Sequence, residues 1–252
     1  MPSAHFKAVS FDWGDTLAAN TGMPYRANQI AAFGRFAEDL TALGCVPAVD
    51  FVDACRKDVD TAWWDSVDLQ KNPEGREMDF AGLFRMWIER LNQGGGIADH
   101  ALIQLAVNRC QDSLVDVLQV FGETEHVLRE LKRRGYRIGI LSHIIWPGPA
   151  CRRWFVRHGL APFVDFYSLS SEVGFVKPHP KHYQDTLDQA GCMAHELLHV
   201  GDHPLRDIFG ARDFGFRTCI KETGAIHSEN HVVEAVADYR ILCLTDLLRL
   251  LP

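Results

Sequence analysis

The sequence predicts an α/β fold: a doubly wound parallel sheet with an all-helical segment inserted after its first strand. Three features predict it. A short apolar run at residues 6–11 stands by itself, the stretch 18–120 carries long helical patterns, and from residue 121 onward short apolar runs alternate with amphipathic helices. Strands separated by helices of that length imply right-handed crossovers and a sheet covered on both faces.

The run at 6–11, bounded by Asp12 and Gly14, is too short for a helix and reads as a buried strand. Ile30, Phe33, Phe36, Ala37, Leu40 and Leu43 then recur on one helix face, and Gly44 with Pro47 stops that helix. Further helices are expected near 49–67, 74–91 and 99–118, with loops at Asn72-Pro73 and at Gly94, Gly95 and Gly96. A helix over 123–134, closed by Gly135, feeds a strand over 136–141 that ends at Ser142. Helices near 150–158, 181–190 and 208–214 alternate with strands near 164–167, 197–201, 217–220 and 239–242.

The chain has 252 residues, 26 Lys and Arg against 33 Asp and Glu, and a formal net charge of −7. An apolar share of 47% and a charged share of 23% exclude a disordered or collagen-like chain. The acidic balance argues against nonspecific nucleic-acid binding. Most of it lies in the helical segment, where 18–120 holds nine Lys and Arg against fifteen Asp and Glu. No apolar run approaches the roughly 18 residues of a membrane span, and the start lacks a secretory pattern. Seven cysteines without a C-x-x-C pair read as reduced thiols, so a cytoplasmic protein is expected.

Polar residues gather where strands end. Asp12 follows the first strand, Ser142 the second and Asp202 the run 197–201. In an open parallel sheet such positions converge on one edge, where ligands bind. A carboxylate in the Gly-containing turn 12–16 suits a nucleophile toward phosphorus or a ligand for a hard cation. A turn whose Asp residues only satisfy backbone N–H groups has the same composition. Ser142 could donate to a phosphoryl oxygen or cap the next helix. Lys177, between Gly174 and the prolines 178 and 180, offers a fixed cation. Asp202 and Asp207 flank a turn before a helix, a pattern that suits Mg²⁺.

In this order and spacing the segments resemble the haloacid dehalogenase superfamily, and within it the hydrolases with a helical cap after the first motif. Asp12, Thr16 and Leu17 fit D-x-D-G-T-L, Ser142 the second motif, Lys177-Pro178 the third, and Gly201-Asp202 with Asp207 the fourth. The resemblance implies a Rossmann-like core over 1–17 and 121–252 and a cap over 18–120. It also implies a phosphatase acting on a small phosphorylated metabolite through an aspartyl-phosphate on Asp12. Mg²⁺ would be held by Asp12, the Gly14 backbone carbonyl and Asp202, with Asp207 in support. Ser142, His143 and Lys177 would hold the phosphoryl group, with no nucleic-acid or membrane partner.

One position departs from the pattern. Relatives of the phosphatase type carry a second Asp two residues after the nucleophile as general acid and base; here that residue is Gly14, and Asp15 follows it. Losing such a group typically costs about 10²–10⁴-fold in rate. Asp15, His143 or His203 could take the proton; the leaving group could need little protonation; or the chemistry could differ. The rivals are a C–P hydrolase of the phosphonoacetaldehyde type, which needs a cap lysine such as Lys57 or Lys71, and a catalytically weak binding protein.

Other patterns read as structural. The H-E-x-x-H of residues 195–199 runs into a strand, whereas zinc proteases need it on a helix. Trp63, Trp64 and Trp87 are expected in the helical core rather than in a pocket wall. The basic run Lys132, Arg133, Arg134 and Arg137 reads as a solvated helix end.

Overall fold

The computed structural model describes residues 6–68, 70–92, 99–223 and 237–251. Six parallel strands form one sheet in the order β5 (Phe166–Leu169), β4 (Arg137–Ser142), β1 (Ala8–Phe11), β6 (Leu197–Gly201), β7 (Arg217–Lys221) and β8 (Tyr239–Ile241). β1 lies in the middle, with Phe11 in register with Ile140 on one side and Val200 on the other. The carboxyl ends of β1, β4 and β6 therefore share one edge.

Alternation along each strand sends side chains to opposite faces. Val9, Phe11, Ile138, Ile140 and Val200 pack against α5 (Thr124–Arg133) and α6 (Gly148–Arg157). Ala8, Leu141 and Leu197 pack on the other face with Tyr183 and Ala190 of α8 (Pro180–Ala190) and Ala211 of α9 (Gly210–Phe214). Both faces are thus covered, as a sheet of this kind requires. A four-residue helix, α7 (Ser170–Val173), follows β5, and another, α10 (Leu247–Leu250), closes the chain against α5.

The inserted segment is helical. α1 (Tyr25–Ala42), α2 (Phe51–Val67), α3 (Phe80–Asn92) and α4 (His100–Val115) pack around an apolar cluster of their own. Phe33 meets Trp87 edge-on at 5.5 Å, and Phe84 meets Phe36 at 5.4 Å. Ile145 and Trp146 of the loop after β4 pack against this cluster and join it to the sheet. A two-stranded antiparallel ribbon, β2 (Ala18–Ala19) with β3 (Gln119–Val120), clasps the two connections into the segment. Its strands are too short to leave a period in the sequence.

Two expected elements differ. The helix expected over 74–91 starts only at Phe80, because Gly75 takes a left-handed φ of 61°. The preceding stretch pairs instead with the sheet domain's loop: Val176 N donates to Gly75 O at 2.8 Å, and Glu77 N to Gly174 O at 3.1 Å. The helix expected over 208–214 begins earlier, as a π-helical stretch over Pro204–Phe209 that runs into α9. The glycines 94–96 lie outside the described residues.

Trp87 is buried as expected. The basic run is structural: Arg133 and Arg134 pair with Glu130, Lys132 with Asp165, and Arg137 donates to the Gln189 carbonyl. His195 and Glu196 lie in a short turn and His199 in β6, so the H-E-x-x-H residues share no helix. All seven cysteines are free, and no helix among the described residues is long and apolar enough to cross a membrane.

Candidate active site

The sheet edge brings together Asp12, Ser142, Lys177, Asp202 and Asp207, which all line one cavity of about 580 Å³. The turn after β1 is tight. Asp15 N donates to Ala18 O at 2.7 Å, and Leu17 N to Trp13 O at 2.9 Å. Asp15 takes the left-handed φ of 56°, a region that glycine favours and that Asp and Asn tolerate best among the rest. Exchanging the Gly and Asp of the motif thus places the side chain on the one residue of the turn with a left-handed backbone. Asp15 is exposed and lines the cavity, as does Gly14. Lys221, at the end of β7, donates to the Asp15 carbonyl at 2.9 Å and stacks on Phe121, so β7 fixes the turn from outside.

Lys177 is the hub of the charges. Its Nζ donates to Asp12 Oδ1 at 2.8 Å, to Asp207 Oδ1 at 2.5 Å and to the Leu141 carbonyl at 3.0 Å. Burial opposes its charge, but Asp12 and Asp207 outweigh that and raise its pKa. Asp207 is buried beneath the cluster. Its Oδ2 accepts from the His203 N–H at 2.9 Å, and its Oδ1 lies 3.2 Å from His199 Nε2. Because the carboxylate accepts, Nε2 carries the His199 proton, and Nδ1 accepts from Ser10 Oγ at 2.9 Å. Ser10 and His199 face each other in register across β1 and β6. Burial opposes ionisation of Asp207, yet Lys177 and the His199 hydrogen bond together hold it well below the usual carboxylate range. Gly201 is required here, since a Cβ on it would stand 2.3 Å from Asp207 Cγ.

One carboxylate oxygen each from Asp12, Asp202 and Asp207 lies within 4.8 Å of the others. Lys177 is the ammonium that pairs with two of the three. Burial raises the pKa of Asp12, with Lys177 offsetting it in part. Asp202, which Thr16 Oγ1 approaches at 3.4 Å, is pushed up to about 8 by burial and then by Asp207, Asp12 and Asp15. A buried cluster of hard oxygen donors with too little positive charge fits a divalent cation such as Mg²⁺.

His143 also lines the cavity, with its Nδ1 engaged. Arg206 Nη1 can only donate, so Nδ1 accepts from it at 3.3 Å and the proton sits on Nε2. Nε2 faces Glu77 Oε2 at 3.5 Å, and the ring lies against Trp63 at 5.3 Å. Burial and the Arg206 charge keep the imidazole neutral. Nδ1 is thus occupied, and Nε2 is buried against Glu77 without a hydrogen-bond partner. His203 Nδ1 accepts from Leu205 N at 3.3 Å, and the residue also lines the cavity.

Sequence reasoning missed Ser10, His199, Lys221, Glu77 and Arg206. It also placed Trp63 and Trp64 in the helical core, whereas both line the cavity and Trp64 is 66% exposed. Their positions near the end of α2 project past the bundle toward the sheet edge, which helical spacing alone does not reveal.

The family model for haloacid dehalogenase-like hydrolases matches residues 6–215. Among curated proteins, the chain is 31% identical over 120 residues to a glyceraldehyde 3-phosphate phosphatase of Methanothermobacter thermautotrophicus, covering 47% of this chain and 51% of that one. It is 31% identical over 147 residues to a phosphoserine phosphatase of Thermus thermophilus, covering 58% and 57%. The chain thus spans about half the length of the curated relatives it matches. Among solved structures, a 2-haloacid dehalogenase from Pseudomonas syringae pv. Tomato superposes with a TM-score of 0.65 at 24% identity, covering 98% of both chains. A HAD phosphatase from Thermococcus onnurineus does so with a TM-score of 0.63 at 19% identity, again over 98% of both. At those identities the likeness is one of fold.

Proposed function

This chain belongs to the haloacid dehalogenase-like hydrolases, and from that premise we propose that it is a Mg²⁺-dependent phosphatase of a small phosphorylated metabolite. The observation that carries the reading is the convergence of the Asp12, Asp202 and Asp207 carboxylates at the sheet edge, with one ammonium, Lys177, paired to two of them. The names of the curated relatives, phosphatases of small phosphorylated compounds, support it.

Asp12, the Gly14 carbonyl and Asp202 would hold Mg²⁺, with Asp207 bracing the set through Lys177 and His199. When bound, the ion neutralises charge on the phosphoryl oxygens. Asp12 attacks phosphorus, the bond to the leaving oxygen breaks, and an aspartyl-phosphate forms on Asp12. Water then attacks that phosphorus and releases phosphate and the free carboxylate. Lys177 and Ser142 hold the phosphoryl oxygens, which is most of what such a transfer requires. Asp15 supplies the proton to the leaving oxygen and later accepts one from water. The helices of residues 18–120 act as a cap over the core of 1–17 and 121–252, and exclude water during turnover.

C–P cleavage through a cap lysine finds little support. Neither Lys57 nor Lys71 lines the cavity, and Lys71 Nζ is bound to Asp65 at 2.5 Å. The test is phosphate release from a panel of phosphomonoesters with Mg²⁺ and with chelator. Release that needs Mg²⁺ and vanishes in Asp12→Asn is expected. No release with any divalent ion, and no phosphate trapped on Asp12, overturns the reading in favour of a binding protein.

A further inference from the structure

Arg206 is the feature of the cavity wall that the phosphatase reading does not use. It sits in the π-helical stretch, one residue before Asp207, and its backbone carbonyl accepts from Tyr183 Oη at 2.5 Å, which fixes the main chain there. Its guanidinium is half-buried, and its one hydrogen-bond partner among the described residues is the neutral imidazole of His143. No carboxylate of the described residues forms an ion pair with it, whereas its neighbour in the cavity, Lys177, is paired twice.

The holder of that guanidinium is itself built into the protein. His143 is clamped between Trp63 of α2 and Glu77, with side-chain exposures of 3% for His143 and 2% for Glu77. Glu77 reaches this place because its stretch pairs with the loop leading to Lys177. Glu77 Oε2 and His143 Nε2 have no hydrogen-bond partner and stand just beyond hydrogen-bonding distance of each other. An imidazole fixed in one tautomer thus aims a guanidinium into the cavity while leaving its charge uncompensated. Arg206 and His143 line the same cavity as Lys177 and Ser142, and the His143 ring lies against Trp63 of the helical segment.

A guanidinium offers a planar fork of donors that matches a carboxylate in two parallel hydrogen bonds. Trp63, Trp64, Asp15 and Asp60 also line the cavity, together with a second guanidinium, Arg26 of α1. We propose that Arg206, aimed by His143, binds a carboxylate on the leaving-group part of the substrate, so that the substrate class is a phosphomonoester of a hydroxy acid. This rests on the phosphatase reading above, and it adds a specificity-determining residue to it.

The test compares two esters that differ only at the tail: 2-phosphoglycolate, with a carboxylate, and 2-hydroxyethyl phosphate, without one. A charge-assisted bidentate contact predicts a kcat/KM about 10- to 100-fold higher for the carboxylate ester. In Arg206→Gln the two values converge, chiefly because KM for the carboxylate ester rises, and Arg206→Lys restores part of the preference. Equal kcat/KM values in the wild-type protein overturn the inference without any variant and leave the phosphatase reading intact. Equal losses on both esters in Arg206→Gln place Arg206 on the phosphoryl group and overturn it as well. If the wild-type protein hydrolyses neither ester, calorimetric titration with the same two esters decides, while the phosphatase reading stands or falls on the wider panel. Tighter binding of the carboxylate ester that is lost in Arg206→Gln supports the inference, and equal binding overturns it.

Discussion

Lys177 Nζ lies 2.5 Å from Asp207 Oδ1, and both side chains are almost fully buried. A lysine buried this deeply keeps its charge only because two carboxylates surround it, and Asp207 stays ionised only because the lysine is there. The pair is therefore a structural joint as well as part of the proposed catalytic apparatus. It ties the loop after α7 to the π-helical stretch and holds Asp12 from beneath. Removing one partner of such a pair leaves an uncompensated buried charge, which costs about 3–5 kcal/mol. Lys177→Met is expected to lose that much in denaturant unfolding and to lose all turnover. Adding Asp207→Asn removes the stranded charge and should return part of the stability but none of the activity.

His199 acts one step further from the reaction. Its ring bridges Ser10 of β1 and Asp207, so the orientation of Asp207 is set by two neighbouring strands. His199→Ala removes a hydrogen bond to a charged group and opens a cavity in a fully buried strand, for an expected loss of about 2–4 kcal/mol. Asp207 then tilts, and Lys177 with it. The affinity for Mg²⁺, read as the ion concentration giving half-maximal turnover, should weaken more than KM for the phosphoester changes. A change in KM alone would assign His199 to substrate binding instead.

How much of this was legible in the sequence depends on how local each signal is. Asp12, Ser142 and Asp202 were readable because each ends an apolar run, and parallel strands bring such ends to one edge. Lys177 was readable because glycine and prolines isolate it from any helix. His199 was not, because a histidine inside an apolar strand looks like core, and its partner Ser10 is distant in sequence but adjacent through the β1–β6 register. Glu77 was hidden for a different reason. Its stretch has helical composition, yet Gly75 and a backbone pairing with residues 174–176 take it out of the helix. Pairings between distant loops leave no period in either segment.

Asp15 carries a prediction that follows from its backbone. Asn tolerates the left-handed region about as well as Asp, so Asp15→Asn should fold with stability within about 0.5 kcal/mol of the parent. If Asp15 exchanges protons with the leaving oxygen and with water, kcat should fall about 10²–10⁴-fold. The limb of the pH–rate profile that reports the acid should disappear. An ester with a nitrophenolate leaving group, which needs little protonation, should lose much less in the step that forms the aspartyl-phosphate. An unchanged pH profile would clear Asp15 of the role and leave proton transfer to water.

Glu77 makes the stability of the protein depend on pH in a direction opposite to most carboxylates. Burial pushes its pKa up to about 7, against hydrogen bonds from Ser170 and the Met78 N–H that favour the charged form. The folded protein thus holds this proton more tightly than the unfolded chain, whose value is near 4.5. The resulting stabilisation is complete below pH 4.5 and is lost as pH rises through 7, since stability falls wherever the folded state binds more protons. A shift of that size corresponds to about 3 kcal/mol at most. Glu77→Gln keeps an oxygen to accept both hydrogen bonds and cannot ionise. Relative to the parent, it should gain stability between pH 5 and pH 8 by about 2–3 kcal/mol, measured by urea unfolding at the two values. His182, buried and lowered to about 3, contributes a loss on acidification below pH 6.5, but it does so equally in both proteins and cancels from the comparison. A difference that stays constant across this range would mean that Glu77 is ionised throughout and that its contact with His143 is an ion pair.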